Sequence, residues 1–112
     1  MTQHNDQDRL EHMLVFAKEA IEFAHGYVRE DVFEKRWLEL SLTRLAEVVG
    51  EAPARVSSDC QSEITEIPWP QIVGLRNRLA HGYMDIDRDV LWEIVQKDFP
   101  PLVLALEKAL SN

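Results

Sequence analysis

Apolar residues recur at a spacing close to 3.6 along almost the whole chain, the period of helices that turn one face to a core. Leu10, Met13, Leu14, Ala17, Ile21 and Ala24 mark one face of a first helix, and Gly26 is placed to end it. A second stripe on that helix, Phe16, Ala20, Phe23 and Tyr27, leaves little purely polar surface and predicts contact with two neighbours rather than one. The second helix, from about Asp31 to Val49, repeats the arrangement. Leu38, Leu42, Leu45 and Val49 form one stripe, Phe33, Trp37 and Leu40 another, and Gly50 is positioned as a C-terminal stop. These two helices are expected to form an antiparallel hairpin.

The segment from Glu51 to Glu66 is poorer in apolar residues and holds Pro53, Ser57, Ser58, Asp59 and Ser62, which predicts a mobile connector with at most a short helical turn. Pro68 and Pro70 flank Trp69 and suit the first turn of a third helix, where a missing N–H has no intrahelical partner to lose. That helix is expected to run to about His81. Asp87 is a candidate N-cap for a fourth helix carrying Val90, Leu91, Ile94 and Val95, and Pro100 and Pro101 open a fifth with Leu102, Val103, Leu106 and Leu110. Trp37, Trp69 and Trp92 fall on separate helices and are expected to anchor the core. No strand-period segment and no internal repeat competes. The expectation is an all-α antiparallel bundle of about five helices, one domain over residues 1–112.

Charge changes the picture in one place. The formal net charge is −8, which argues against a general nucleic-acid coat or an anionic membrane surface. Yet no Asp or Glu occurs from Ile67 to Met84, and Arg76, Arg78 and His81 all fall inside that window. Any phosphate site is therefore expected to be local. The single Cys60 has no internal partner, the N-terminus lacks a signal-peptide apolar region, and no apolar run is long enough to span a bilayer, so a cytosolic, soluble chain is expected.

On a helical wheel Ile72, Leu75 and Leu79 make the core face of the third helix, with Asn77, His81 and Gly74 on the opposite side. A glycine inside a helix costs about 1 kcal/mol against alanine, so Gly74 suggests close approach of a second subunit or a ligand. Arg76 and His81, roughly 140° apart on a straight helix, would not converge within one chain. A two-fold dimer would bring two arginines and two histidines into one cleft. That set suffices for metal-free RNA cleavage. An imidazole, with an ordinary pKa of about 6.5, can take the proton of a ribose 2′-hydroxyl, a second can protonate the leaving oxygen, and guanidinium forks can hold the phosphate.

Plainer roles stand beside these. Arg78 reads as a surface ion-pair partner, His81 by position alone as a helix C-terminal cation, and Tyr83 as a ring packed after a stop at Gly82. Glu22 and His25 have the spacing of half a di-iron site, but a second copy is missing, and Asp85, Asp87 and Asp89 read as capping residues. Neither a metal nor a cofactor is expected.

The runs Ile67-Pro68-Trp69, Gly74 to Tyr83, Val90-Leu91-Trp92 and Phe99-Pro100, with Val48-Val49-Gly50-Glu51-Ala52 upstream, resemble the HEPN superfamily, in particular its HepT-type toxins. The resemblance implies a homodimeric, metal-independent endoribonuclease with Arg76 and His81 as the catalytic pair and Asn77 as a supporting polar residue. It also implies an RNA substrate, tRNA among the candidates, and a toxin–antitoxin pair of the type VII kind. The partner would be a minimal nucleotidyltransferase antitoxin that transfers AMP from ATP onto Tyr83. The added charge and bulk beside Arg76 and His81 would repel RNA phosphate. The alternative is a non-catalytic subunit that binds the nucleotidyltransferase.

Overall fold

The computed structural model describes residues 4–83 and 85–111. The first helix, α1, spans His4–Ala24, and Gly26 ends it with φ +86°, a conformation that suits glycine. The expected second helix is two, α2 at Arg29–Glu34 and α3 at Arg36–Glu51. Lys35 leaves the helical region (φ −112°, ψ 98°) and separates them with neither Gly nor Pro as a signal. The break lets α2 reach the helix after Asp87 while α3 lies along α1. The expected hairpin pairing is therefore made by α1 and α3, whose Leu10, Met13, Ala17, Leu38, Leu42 and Val49 are all but fully buried.

The segment after α3 is pinned rather than mobile. It forms a 3₁₀ turn at Ala52–Arg55 and a short helix, α4, at Ser58–Glu63. Asp6, 3% exposed, accepts hydrogen bonds from the Ser57 N–H at 2.8 Å and the Ser57 hydroxyl at 2.6 Å. The same hydroxyl accepts from the Cys60 N–H at 3.1 Å and so caps α4. Gln61 Nε2 donates to the carbonyl of Pro53, and the indole N–H of Trp69 to those of Gln61 and Ile64, each at 3.0 Å. Polar residues that read as loop composition are here the partners that hold the loop down.

The expected third helix is also broken, into α5 at Trp69–Val73 and α6 at Leu75–Leu79. Gly74 sits at the join (φ −81°, ψ 1°), where an added Cβ would lie 3.3 Å from the Pro70 carbonyl that accepts its own N–H. Within the chain, the tight approach at Gly74 is to its own turn. The closely packed glycine is Gly50. It lies inside α3 rather than ending it, and a Cβ there would be 3.2 Å from Leu75 Cβ and 3.3 Å from the Ile72 carbonyl. Gly50 lets α3 and the α5–α6 pair meet closely, which carries Arg76 to the end of α3.

After Leu79 the backbone turns extended at Ala80, so His81 lies beyond the helix and shares no helical face with Asn77. Ala80 bridges antiparallel to Ile86, the Asp87 N–H donates to the Leu79 carbonyl at 2.8 Å, and Gly82 turns the chain with φ +94°. The expected fourth and fifth helices run on as one: α7 at Arg88–Glu93, a π turn at Ile94–Asp98, and α8 at Phe99–Leu110. Asp87 caps α7 as expected, its Oδ1 accepting from the Val90 N–H at 3.1 Å. Pro100 and Pro101 lack the N–H groups that would bond the carbonyls of Gln96 and Lys97, and the wide turn falls on those residues. α8 packs on α1 opposite α3, closing an all-α bundle around Phe99, Leu91, Ile94 and Leu106. Among the described residues no helix is long and apolar enough to cross a membrane.

Candidate functional site

Arg76 projects from α6 with its side chain 62% exposed, and its guanidinium lies 3.4 Å from Glu51 Oε2 at the end of α3. Arg44 approaches the other oxygen of Glu51 at 4.0 Å. Arg76 borders a cleft of about 360 Å³ with Arg36, Glu39, Leu40, Thr43 and Asp85 on its walls. Glu39 is 5% exposed and is held by Arg36 at 3.0 Å and Arg88 at 3.3 Å. Arg88 in turn lies 5.7 Å above the Phe33 ring. This buried, doubly paired carboxylate ties α3 to α7 and gives the cleft a fixed wall.

His81 is exposed and borders a second cleft, of about 280 Å³, with Phe33, Asp85, Ile86, Asp87, Arg88 and Asp89. Its backbone N–H, not its ring, is tied down, donating to the Asp85 carbonyl at 3.3 Å. The two clefts share Asp85 and Ile86 as lining but not Arg76 or His81. One chain places its arginine and its histidine in adjoining clefts. Asn77 is exposed and borders neither cleft. Tyr83, at 94% exposure, stands at the tip of the same loop rather than packing its ring after Gly82.

The acid-free window of the sequence is not acid-free in space. Glu51 reaches Arg76, Asp98 pairs with Arg78 at 2.5 Å, and three aspartates surround the His81 cleft. Arg78 is thus the surface ion-pair partner it was read to be. Glu22 and His25 are both exposed, and among the described residues no group of three or more metal-binding side chains gathers. The three aspartates have separate tasks: Asp87 caps α7, Asp89 pairs with Arg29 at 3.2 Å, and Asp85 accepts from the Ile86 N–H at 2.9 Å.

Sequence reasoning missed the surface beside these clefts. Trp37, expected in the core, is 51% exposed, with Phe33 and Leu40 each 53% exposed; Trp69 is buried at 8%, and Trp92 is partly buried against the core. The second apolar stripe of the hairpin was itself the signal, and much of it stays exposed although Tyr27 meets Trp37 edge-on and Arg88 lies over Phe33.

An all-α bundle that holds an exposed arginine and an exposed histidine in adjoining clefts, with an exposed tyrosine on the histidine's loop, is the class these features define. Within that class, residues 13–109 match the family described as HepT-like, Ribonuclease HepT-like, and the chain belongs to it. It is 32% identical over 95 residues to a candidate RNase of Methanocaldococcus jannaschii, covering 85% of this chain and 87% of that protein. It is 34% identical over 94 residues to a candidate ribonuclease HepT of Thermococcus cleftensis, covering 80% and 86%. A candidate RNase of Caldanaerobacter subterraneus is 29% identical over 103 residues, 92% of each chain. No solved structure gives a significant match.

Proposed function

We propose that this chain is an RNA-cleaving toxin whose active site is completed by a second copy of itself. The observation that carries the reading is the placement of Arg76 and His81 in adjoining clefts on either side of Asp85 and Ile86, both open to solvent. Leu40 borders the Arg76 cleft and Phe33 the His81 cleft, so the uncovered stripe of Phe33, Trp37 and Leu40 flanks both half-sites. A two-fold partner on that stripe would cover apolar surface and join the half-sites in one step.

The chemistry needs no metal. One His81 takes the proton of a ribose 2′-hydroxyl, O2′ attacks the adjacent phosphorus, and the bond from phosphorus to the 5′-oxygen breaks. That oxygen receives its proton from the second His81, and a 2′,3′-cyclic phosphate remains. Arg76 holds the phosphate oxygens, for which it leaves Glu51, while Arg44 stays beside that carboxylate. Asn77, exposed beside Arg76 on α6, is the supporting polar group. The substrate would be cellular RNA, tRNA among the candidates, met in the cytosol.

Incubating the purified, unmodified protein with total cellular RNA in EDTA and mapping new ends tests this reading. New ends carrying cyclic phosphate are expected. No cleavage, with intact mass confirming unmodified Tyr83, would favour the second reading, a non-catalytic subunit that binds a nucleotidyltransferase. The capture of Arg76 by Glu51 and the aspartates around His81 are what favour that alternative.

Regulation at Tyr83 belongs to the same proposal. Its 94% exposure leaves the phenol open to a minimal nucleotidyltransferase, and each AMP added there brings a phosphodiester charge onto the His81 loop. With the partner enzyme and ATP, the parent is expected to gain the mass of AMP and lose cleavage. Tyr83→Phe is expected to gain no mass and stay active; equal modification of that variant would place the acceptor elsewhere.

A further inference from the structure

A third depression lies on the other side of Glu51, between α1 and the 3₁₀ turn that follows α3. Its volume is about 160 Å³, and Arg9, His12, Phe16, Val48, Ala52 and Arg55 line it together with Glu51. Phe16, Val48 and Ala52 give the lining its apolar part, and Arg9 and Arg55 border it. The His12 and Phe16 rings stand 6.4 Å apart, tilted by 45°. Among the described residues Arg9 and Arg55 make no ion pair, whereas Arg36, Arg44, Arg76 and Arg78 each have a carboxylate within 4.0 Å. In a chain of net charge −8, an aromatic-edged hollow bordered by two arginines that make no ion pair among the described residues, with Glu51 as the carboxylate of its lining, is a surface fitted to an anion that also has an apolar face.

We propose that this hollow binds one nucleotide of the single-stranded RNA whose phosphate is held at Arg76, with the base lying against Phe16 and His12 and its flanking phosphates on Arg9 and Arg55. The assignment rests on the ribonuclease reading above and extends it to the path of the strand. Glu51 connects the two places, since it borders the hollow and touches Arg76 at 3.4 Å. A strand that draws Arg76 away from Glu51 leaves that carboxylate facing the base edge, where an exocyclic amino group can donate to it. An acidic peptide has no flat base to lie against Phe16 and His12. Stacking on aromatic side chains with phosphates on arginines is the common mode of single-strand binding.

The test reads binding without cleavage. A short fluorescent single-stranded RNA is titrated into the His81→Ala protein, and into the same protein carrying Arg9→Ala and Arg55→Ala, over a series of salt concentrations. Arg55 is exposed and Arg9 is partly buried, and an unchanged melting curve establishes that the fold is kept. Their loss is expected to weaken binding about tenfold and to flatten the log–log salt slope by about 1.4, two phosphate contacts at roughly 0.7 each. Unchanged affinity and slope with normal binding by the His81→Ala background would overturn the hollow as an RNA subsite and leave the ribonuclease reading standing. Failure of the background itself to bind RNA would overturn both. AMP is the competitor in the remaining arm: displacement of the RNA by AMP at concentrations comparable with the oligomer's own Kd would mark a free-nucleotide pocket and overturn the strand path, and no displacement supports it.

Discussion

Replacing His81 with alanine is expected to lower RNA cleavage by about a hundred- to ten-thousand-fold, the usual contribution of a positioned acid or base. The fold should not follow. The imidazole is exposed, and the hydrogen bond that holds this loop uses the backbone N–H, which alanine keeps. The loop is further fixed by the Asp87 N–H on the Leu79 carbonyl and by the glycine conformation at Gly82, neither of which involves the ring. Unchanged circular dichroism and an unchanged melting temperature are therefore expected alongside the lost activity. In cells the variant should no longer inhibit growth. A variant that cleaves at the parent rate would remove His81 from the chemistry and leave Arg76 without an acid–base partner in the proposed mechanism.

The parts of this molecule legible in the sequence are those where one local rule acts alone. The core stripes of α1 and α3, the stop at Gly26 and the cap at Asp87 followed from periodicity and capping preferences, and the structure has them where they were expected. What was not legible depends on partners far along the chain. Lys35 breaks a helix without a breaker residue, because α2 packs on α7 and α3 on α1. Gly50 looked like a stop when only its neighbours in sequence were considered; Leu75 and Ile72, more than twenty positions on, explain it. Ser57 and Gln61 gave loop composition, and the carboxylate of Asp6 and the carbonyl of Pro53 turned that composition into anchorage. The electrostatics of the site failed for the same reason. A window free of acids over Ile67 to Met84 says nothing of Glu51 or Asp98, which the packing of α3 and the π turn bring to Arg76 and Arg78.

A carboxylate at Leu40 should separate the proposed dimer and take the activity with it. Leu40 is 53% exposed, borders the Arg76 cleft and is not part of the buried core, so Leu40→Glu leaves the single chain's packing intact. At a two-fold interface each glutamate would be buried against an apolar surface, and its copy would add a like charge. Removing an apolar anchor from the centre of such an interface costs about 2 kcal/mol or more, which weakens association roughly thirtyfold or more. Trp37→Glu should do the same, with an added loss of stability of about 1 kcal/mol from its edge-on contact with Tyr27, whose ring centroid is 5.7 Å away. For that reason Leu40→Glu is the cleaner variant. Sedimentation should show the parent as a dimer and Leu40→Glu as a monomer at the same concentration, with cleavage per chain falling together with the dimer fraction. In the proposed dimer association completes the site, so raising the protein concentration should restore activity to Leu40→Glu but not to His81→Ala. A fully active monomer would mean that Arg76 and His81 of one chain suffice, and the two adjoining clefts would then have to act on one phosphate across Asp85 and Ile86.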